Sequence, residues 1–190
     1  MKFFWVLFLI FTISIASSCV IDGSFRGLYS YYKITKKEHP TFIQRPGSNL
    51  CNLTSSDSII VYKINGNELK KCLKAESKSL VYFWNPNCSA PVCVPPNYAQ
   101  EYSNYNNLNL FIVAIYYEYN KMTVNYELVR PIFGVDTEYY STNLTKRYLK
   151  KFREDLLERE WIEEEYPRFL LFQSDSLIAS SESIETLKIE

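Results

Sequence analysis

Charge of either sign in excess is missing from this chain: 21 Lys and Arg balance 21 Asp and Glu. A nucleic-acid partner leaves a basic patch or stripe on its protein, and there is no such footprint, so a nucleic-acid function is not expected. Histidine is nearly absent. The single copy, His39, precedes Pro40 in a loop, which leaves little for imidazole acid–base chemistry. Two nearby cysteines with one distant histidine do not make a zinc motif, and no metal site is expected. The sequence also lacks a Cys-x-x-Cys, an internal repeat, a coiled-coil pattern and a second membrane-length apolar run.

What is present is apolar and aromatic. Hydrophobic residues make up 47% and aromatics 16% of 190 residues, with Tyr the commonest aromatic at 16 copies. That is enough to build a core and argues against disorder. The length allows one domain, or two small ones.

Residues 1–18 read as a signal peptide: Lys2, an apolar run over 3–15, then Ala16, Ser17 and Ser18. The run is of signal length and short for a membrane span. Cys19 follows directly, resembling the lipobox of bacterial lipoproteins, in which that cysteine is lipidated. Ala16 stands where the pattern favours Leu, and ordinary cleavage after Ser18 is the alternative. Both place the mature protein outside the cytoplasm, where disulfides persist. Cys51, Cys72, Cys88 and Cys93 remain, and sequence alone does not choose among their three full pairings.

Residues 19–57, punctuated by Gly and Pro, read as a tether and lead-in, with a short strand or hairpin near GLYSYYKI (27–34). A β-branched strand is predicted over 58–64 and a helix over 67–76 with an Asn cap. That helix places Leu69, Cys72 and Leu73 on one apolar face, so Cys72 reads as a buried structural cysteine rather than a partner for Cys51. A buried strand follows over 79–84, a proline-led helix over 96–107 and a strand over 108–117. Residues 118–142 are irregular and tyrosine-rich. Leu144, Tyr148, Leu149, Phe152, Leu156 and Trp161 recur at helical spacing, predicting a helix over 143–165. Two strands flank a turn at Ser174–Asp175, and the tail suggests a short terminal helix. Alternating strands and helices followed by a hairpin imply an α/β fold with a mixed central sheet between helical layers.

LVYFWNPNC (80–88) resembles the strand of thioredoxin-like proteins that ends in Phe-Trp and delivers the nucleophilic Cys to the next helix. YPRFLLF (166–172) resembles the segment carrying that family's cis-proline. With the element order, residues 58–190 resemble a thioredoxin-like domain, a three-layer α/β sandwich. The segment after its third strand is similar to the insertions of membrane-anchored, TlpA-like members. The resemblance implies that Cys88 sits at a helix N-terminus, where the dipole favours the thiolate. It also implies that Pro167 is cis and lies beside the reactive sulfur at the substrate edge. Trp84 is retained there; a plain core aromatic is the alternative.

The departures are specific. Four residues, SAPV, separate Cys88 from Cys93. Either two residues are inserted ahead of the second cysteine, or the match is ungapped and Pro91 takes that cysteine's place; the ungapped register is simpler. Residues five apart in a regular helix rise about 7.5 Å, and a disulfide usually wants Cα atoms within about 4.4–6.8 Å. The two can therefore pair only if residues 88–92 form a loop and the helix begins near Pro95 or Pro96. Tyr82 replaces the family's proton-transferring Asp, and Asn87 the Trp before the nucleophile. A peroxidase reading is disfavoured, since no Pro-x-x-x-Thr-x-x-Cys precedes Cys88.

Two functions follow as expectations. One is an extracytoplasmic, lipid-anchored thiol–disulfide oxidoreductase of the cell envelope or periplasm. It would act through Cys88 and Cys93 on cysteine-containing envelope proteins, with an upstream electron-transfer partner and no cofactor beyond its own thiols. The other is a non-catalytic binding module in which Cys88–Cys93 is a staple and a peptide binds along the Pro167 edge.

Overall fold

A computed structural model describes residues 27–47, 49–55, 60–90, 93–161 and 167–189. The segment read as a signal peptide and Cys19 lie outside them, as do Pro91, Val92 and residues 162–166. In chain order the elements are α1 (Tyr32–Glu38), β1 (Ile43–Gln44), β2 (Val61–Ile64), α2 (Gly66–Lys74), β3 (Lys78–Trp84), α3 (Pro96–Tyr105), β4 (Asn109–Ala114), α4 (Tyr119–Met122), β5 (Phe133–Val135), α5 (Thr145–Leu157), β6 (Phe169–Gln173) and β7 (Ser176–Ser181). No helix among the described residues is long and apolar enough to cross a membrane.

The seven strands form one sheet in the order β1-β2-β5-β4-β3-β6-β7. β1 to β5 are mutually parallel where they pair, while β6 runs antiparallel to β3 and β7 antiparallel to β6. Helices cover both faces, giving a three-layer α/β sandwich compatible with a thioredoxin-like fold. The continuous apolar run of β3 resolves into period-two alternation with both sides buried. Leu80, Tyr82 and Trp84 face the layer of α1 and α3, with Tyr32 and Ala99. Val81 and Phe83 face the layer of α2 and α5, with Leu73 and Phe152.

Local chemistry sets the element ends. The cap of α2 is Asn65, two residues earlier than the expected Asn67. Its Oδ1 accepts from the Glu68 amide at 2.9 Å and the Glu68 carboxylate accepts from the Asn65 amide at 2.9 Å, a reciprocal capping box. Gly66 then lies against α5, where an added Cβ would come within 2.7 Å of both Asp155 Cβ and Leu156 N. The β6–β7 hairpin turns at Ser174–Asp175 as expected, with Ser174 at φ 54°.

Several expectations need correction. Residues 27–34 hold no hairpin: a single antiparallel bridge pairs Tyr29 with Leu144, and α1 begins at Tyr32. Tyr32, Phe42 and Ile43 are buried in the main core, so packed structure begins upstream of residue 58. Residues 118–142 are not merely irregular, because they supply β5, which enters the sheet between β2 and β4. Its Gly134 leaves room for the Tyr117 ring, whose hydroxyl donates to the Val135 carbonyl at 2.8 Å. The 143–165 helix stops at Leu157 with Glu158 in the left-handed region, leaving Trp161 buried but outside it. The terminal helix is reduced to a 3-10 turn, Ile184–Thr186.

Cys72 is buried as expected, yet it is bonded to Cys51, with Cα atoms 4.9 Å apart. The pairing overturns the reading of Cys72 as an unpaired core residue. The 3-10 turn Leu50–Asn52 brings Cys51 onto the helix face that already carries Cys72.

Candidate functional site

Cys88 and Cys93 bridge in the loop that leaves the C-terminal end of β3, with Cα atoms 5.9 Å apart. Both are half-buried. Asn85 opens the loop with an Asx turn: its Oδ1 accepts from the Asn87 amide at 2.9 Å, and its carbonyl accepts from the Cys88 amide at 3.1 Å. A second turn closes where the Cys93 amide donates to the Ala90 carbonyl at 2.8 Å. The far end is tied to the sheet by the Tyr82 hydroxyl, which donates to the Val94 carbonyl at 2.6 Å.

The helix begins only at Pro96, with Pro95 in extended conformation at its cap. Cys88 therefore does not occupy a helix N-terminus, a correction to the position implied by the resemblance. Proline suits the first helical position, and the apolar Val-Pro-Pro lead keeps the cysteines in the loop. Of the two geometric options the loop one holds, and it is the one that lets the cysteines meet. The dipole assistance expected for Cys88 is accordingly absent.

The cation at this site is Arg168. Its Nη1 lies 3.1 Å from Cys93 Sγ and 3.9 Å from Cys88 Sγ, and its Nε lies 3.6 Å from the Glu182 carboxylate. β-sheet pairing fixes its backbone, since its carbonyl accepts from the Phe83 amide at 2.8 Å. Pro167, one residue earlier, is buried, and its carbonyl accepts from Arg153 Nη2 at 3.1 Å. The residue that follows Pro167, Arg168, is thus the one brought against the cysteine sulfurs. The Tyr166–Pro167 bond involves Tyr166, so the cis expectation lies outside the described residues.

Trp84 is 5% exposed and turned into the core, where it meets the Tyr126 ring edge-to-face at 5.6 Å. It is part of the packed core rather than an open edge. Tyr82, in place of an acid, stays a neutral phenol: burial pushes it up, and the Arg168 charge opposes that by less. Two surface clefts, about 310 and 410 Å³, lie elsewhere, around Tyr62, Met122 and Tyr126 and around His39 and Tyr119. Neither is lined by Cys88, Cys93 or Arg168. Among the described residues no three His, Cys, Asp or Glu side chains converge as metal ligands do.

Sequence reasoning missed Arg168. The available signal was its place directly after the proline of YPRFLLF, the segment that the resemblance sets beside the reactive sulfur.

No family model, no curated protein and no solved structure matches this chain.

Proposed function

We propose that the protein is an extracytoplasmic thiol–disulfide oxidoreductase of the TlpA-like kind, held at the cell envelope through lipidated Cys19. Its partners are cysteine-containing envelope proteins and an upstream electron-transfer protein, and its own thiols are its only redox group. In exchange, Cys88 bonds to the partner's sulfur while Cys93 resolves or forms the mixed disulfide.

The observation that carries this reading is the half-buried Cys88–Cys93 bridge, set in a loop against the Pro167–Arg168 segment with a guanidinium 3.1 Å from one sulfur. A staple needs neither partial exposure nor a cation at the sulfur.

The second reading, a non-catalytic module with the bridge as a staple, draws on the late start of α3 at Pro96 and the phenol at Tyr82. Both remove activation that an exchanger would use.

Titrating the protein in glutathione buffers, with alkylation and mass of Cys88 and Cys93 as readout, separates the two. Exchange predicts a reversible transition between about −120 and −270 mV. Resistance to reduction until the protein unfolds would make the pair a staple. Lipid-precursor labelling that survives Cys19→Ala would remove the anchor.

A further inference from the structure

We propose that Arg168 favours the thiolate of Cys93 in the reduced protein and thereby biases the pair toward accepting electrons from dithiol chains, most strongly above neutral pH. The inference rests on the exchange reading and adds a bias to its direction.

The loop from Asn85 to Pro95 contains no charged residue, and the first turn of α3 carries no acid. From β3 the facing titratable group is Tyr82, a neutral phenol held by Val94. Among the described residues, Arg168, just ahead of β6, and Glu182, just after β7 and with a side chain 60% exposed, are the facing charged groups at that strand pair. Arg168 is 28% exposed, so its charge is screened less than one in open water. The guanidinium is closer to Cys93 than to Cys88, at 3.1 against 3.9 Å. A cation beside a thiol favours its ionised form. The asymmetry assigns the charge to Cys93.

The consequence is chemical. A partner thiolate, its proton lost to solvent, attacks Cys88 Sγ. The Cys88–Cys93 bond breaks, the mixed disulfide forms on Cys88, and the electron pair leaves on Cys93 Sγ against Arg168. The partner's second thiolate then attacks its own sulfur in the mixed disulfide. The partner disulfide forms, and Cys88 leaves and takes up one proton. Two electrons pass to the pair, the partner loses two protons, and one net proton is released. One turnover needs no other oxidant. A less basic leaving thiol departs faster, and stabilising it favours the reduced pair.

The test uses the purified protein carrying Cys88→Ser, with and without Arg168→Gln, and follows Cys93 alkylation by iodoacetamide against pH. Loss of Arg168 should raise the half-maximal pH by about one unit, a tenfold fall in the thiolate-to-thiol ratio, and Arg168→Lys should restore most of it. Glu182→Gln, at an exposed position that does not threaten folding, should lower the value by a few tenths of a unit, roughly the effect of one surface charge. Equal values with and without Arg168→Gln, or a rise with Glu182→Gln, would overturn the proposal. In the intact pair, Arg168→Gln should make the potential more negative by less than twofold in equilibrium constant at pH 7. The change should grow to nearly tenfold, about 30 mV, at pH 9. Coincident midpoints at pH 9 in a reversibly titrating pair would sink the role of Arg168 and leave exchange standing. A pair that cannot be reduced in the folded state would sink exchange, while the alkylation series still reads Arg168.

Discussion

Arg153 on α5 and Pro167 ahead of β6 are joined by a 3.1 Å hydrogen bond from Nη2 to the proline carbonyl, and Arg153 is only 2% exposed. The same guanidinium lies over the Phe83 ring at 4.4 Å and the Trp161 ring at 4.9 Å. One cation therefore ties α5, β3 and the segment that delivers Arg168. Arg153→Met keeps much of the volume and removes the donor and the charge. It should lower stability by about 3 kcal/mol in urea unfolding, through loss of the charged hydrogen bond to Pro167 and the contacts with the Phe83 and Trp161 rings among others. A loss under about 1 kcal/mol would show that Pro167 is held by other means.

The Cys51–Cys72 bridge closes a separation of 21 residues and joins a 3-10 turn to α2. Constraining a loop of that length in the unfolded chain contributes about 3 kcal/mol. The double variant Cys51→Ser, Cys72→Ala should lose about that amount and leave the alkylation and redox behaviour of Cys88 and Cys93 unchanged. Retention of the full urea midpoint would mean that the bridge contributes nothing.

Glu138 accepts a short hydrogen bond from Lys63, which also lies 3.5 Å from the fully buried Asp136 carboxylate. The Lys63 hydrogen bond, helped by Tyr32 and Lys36 and opposed by desolvation, holds the Glu138 carboxyl down at about 2. A depressed folded-state value contributes stability above the unfolded value of about 4.3. That contribution is lost as pH falls toward 2. The Glu138 side chain is 51% exposed, so solvent screening keeps the contribution below about 1 kcal/mol. Glu138→Gln should therefore lower stability slightly at pH 7 and flatten its decline between about pH 4.3 and 2. An unaltered acid slope would show that Lys63 is satisfied by Asp136 alone.

At Gly66 a single methyl has nowhere to go, because the backbone and side chains of α5 close on that position. Ordinarily alanine favours a helix over glycine by about 1 kcal/mol. Here overpacking should win, and Gly66→Ala should destabilise by about 2 kcal/mol. A stabilised variant would show that α2 and α5 can separate at this point.

Much of the fold is legible in local pattern. The apolar run 79–84 reads as a buried strand and the recurrence from Leu144 to Leu156 as an amphipathic helix, and the structure has both. β5 was hidden because FGV is three residues long and follows a proline; its strand character comes from pairing on both sides and from the Tyr117 ring packed on Gly134. Asn67 and Asn65 are equally good caps by composition. The reciprocal Glu68 bond and the tight seat of Gly66 against α5 choose Asn65. At the site, the pair and the proline segment were legible, and Arg168 was not, since its nearness to the sulfurs exists only once β6 pairs with β3.

By itself the sequence determined the α/β alternation, the apolar faces and the cysteine pair five residues apart, because these follow from periodicity and covalent spacing. Tertiary structure decided the rest. The strained option of two cysteines in one helix gives way to a loop because Pro96 can start a helix and the Tyr82–Val94 bond pins the loop's end. Cys51 finds Cys72 through a packed turn. A cation just ahead of β6, 75 residues farther along the chain, reaches Cys93, since antiparallel pairing brings distant residues side by side and an isolated segment cannot.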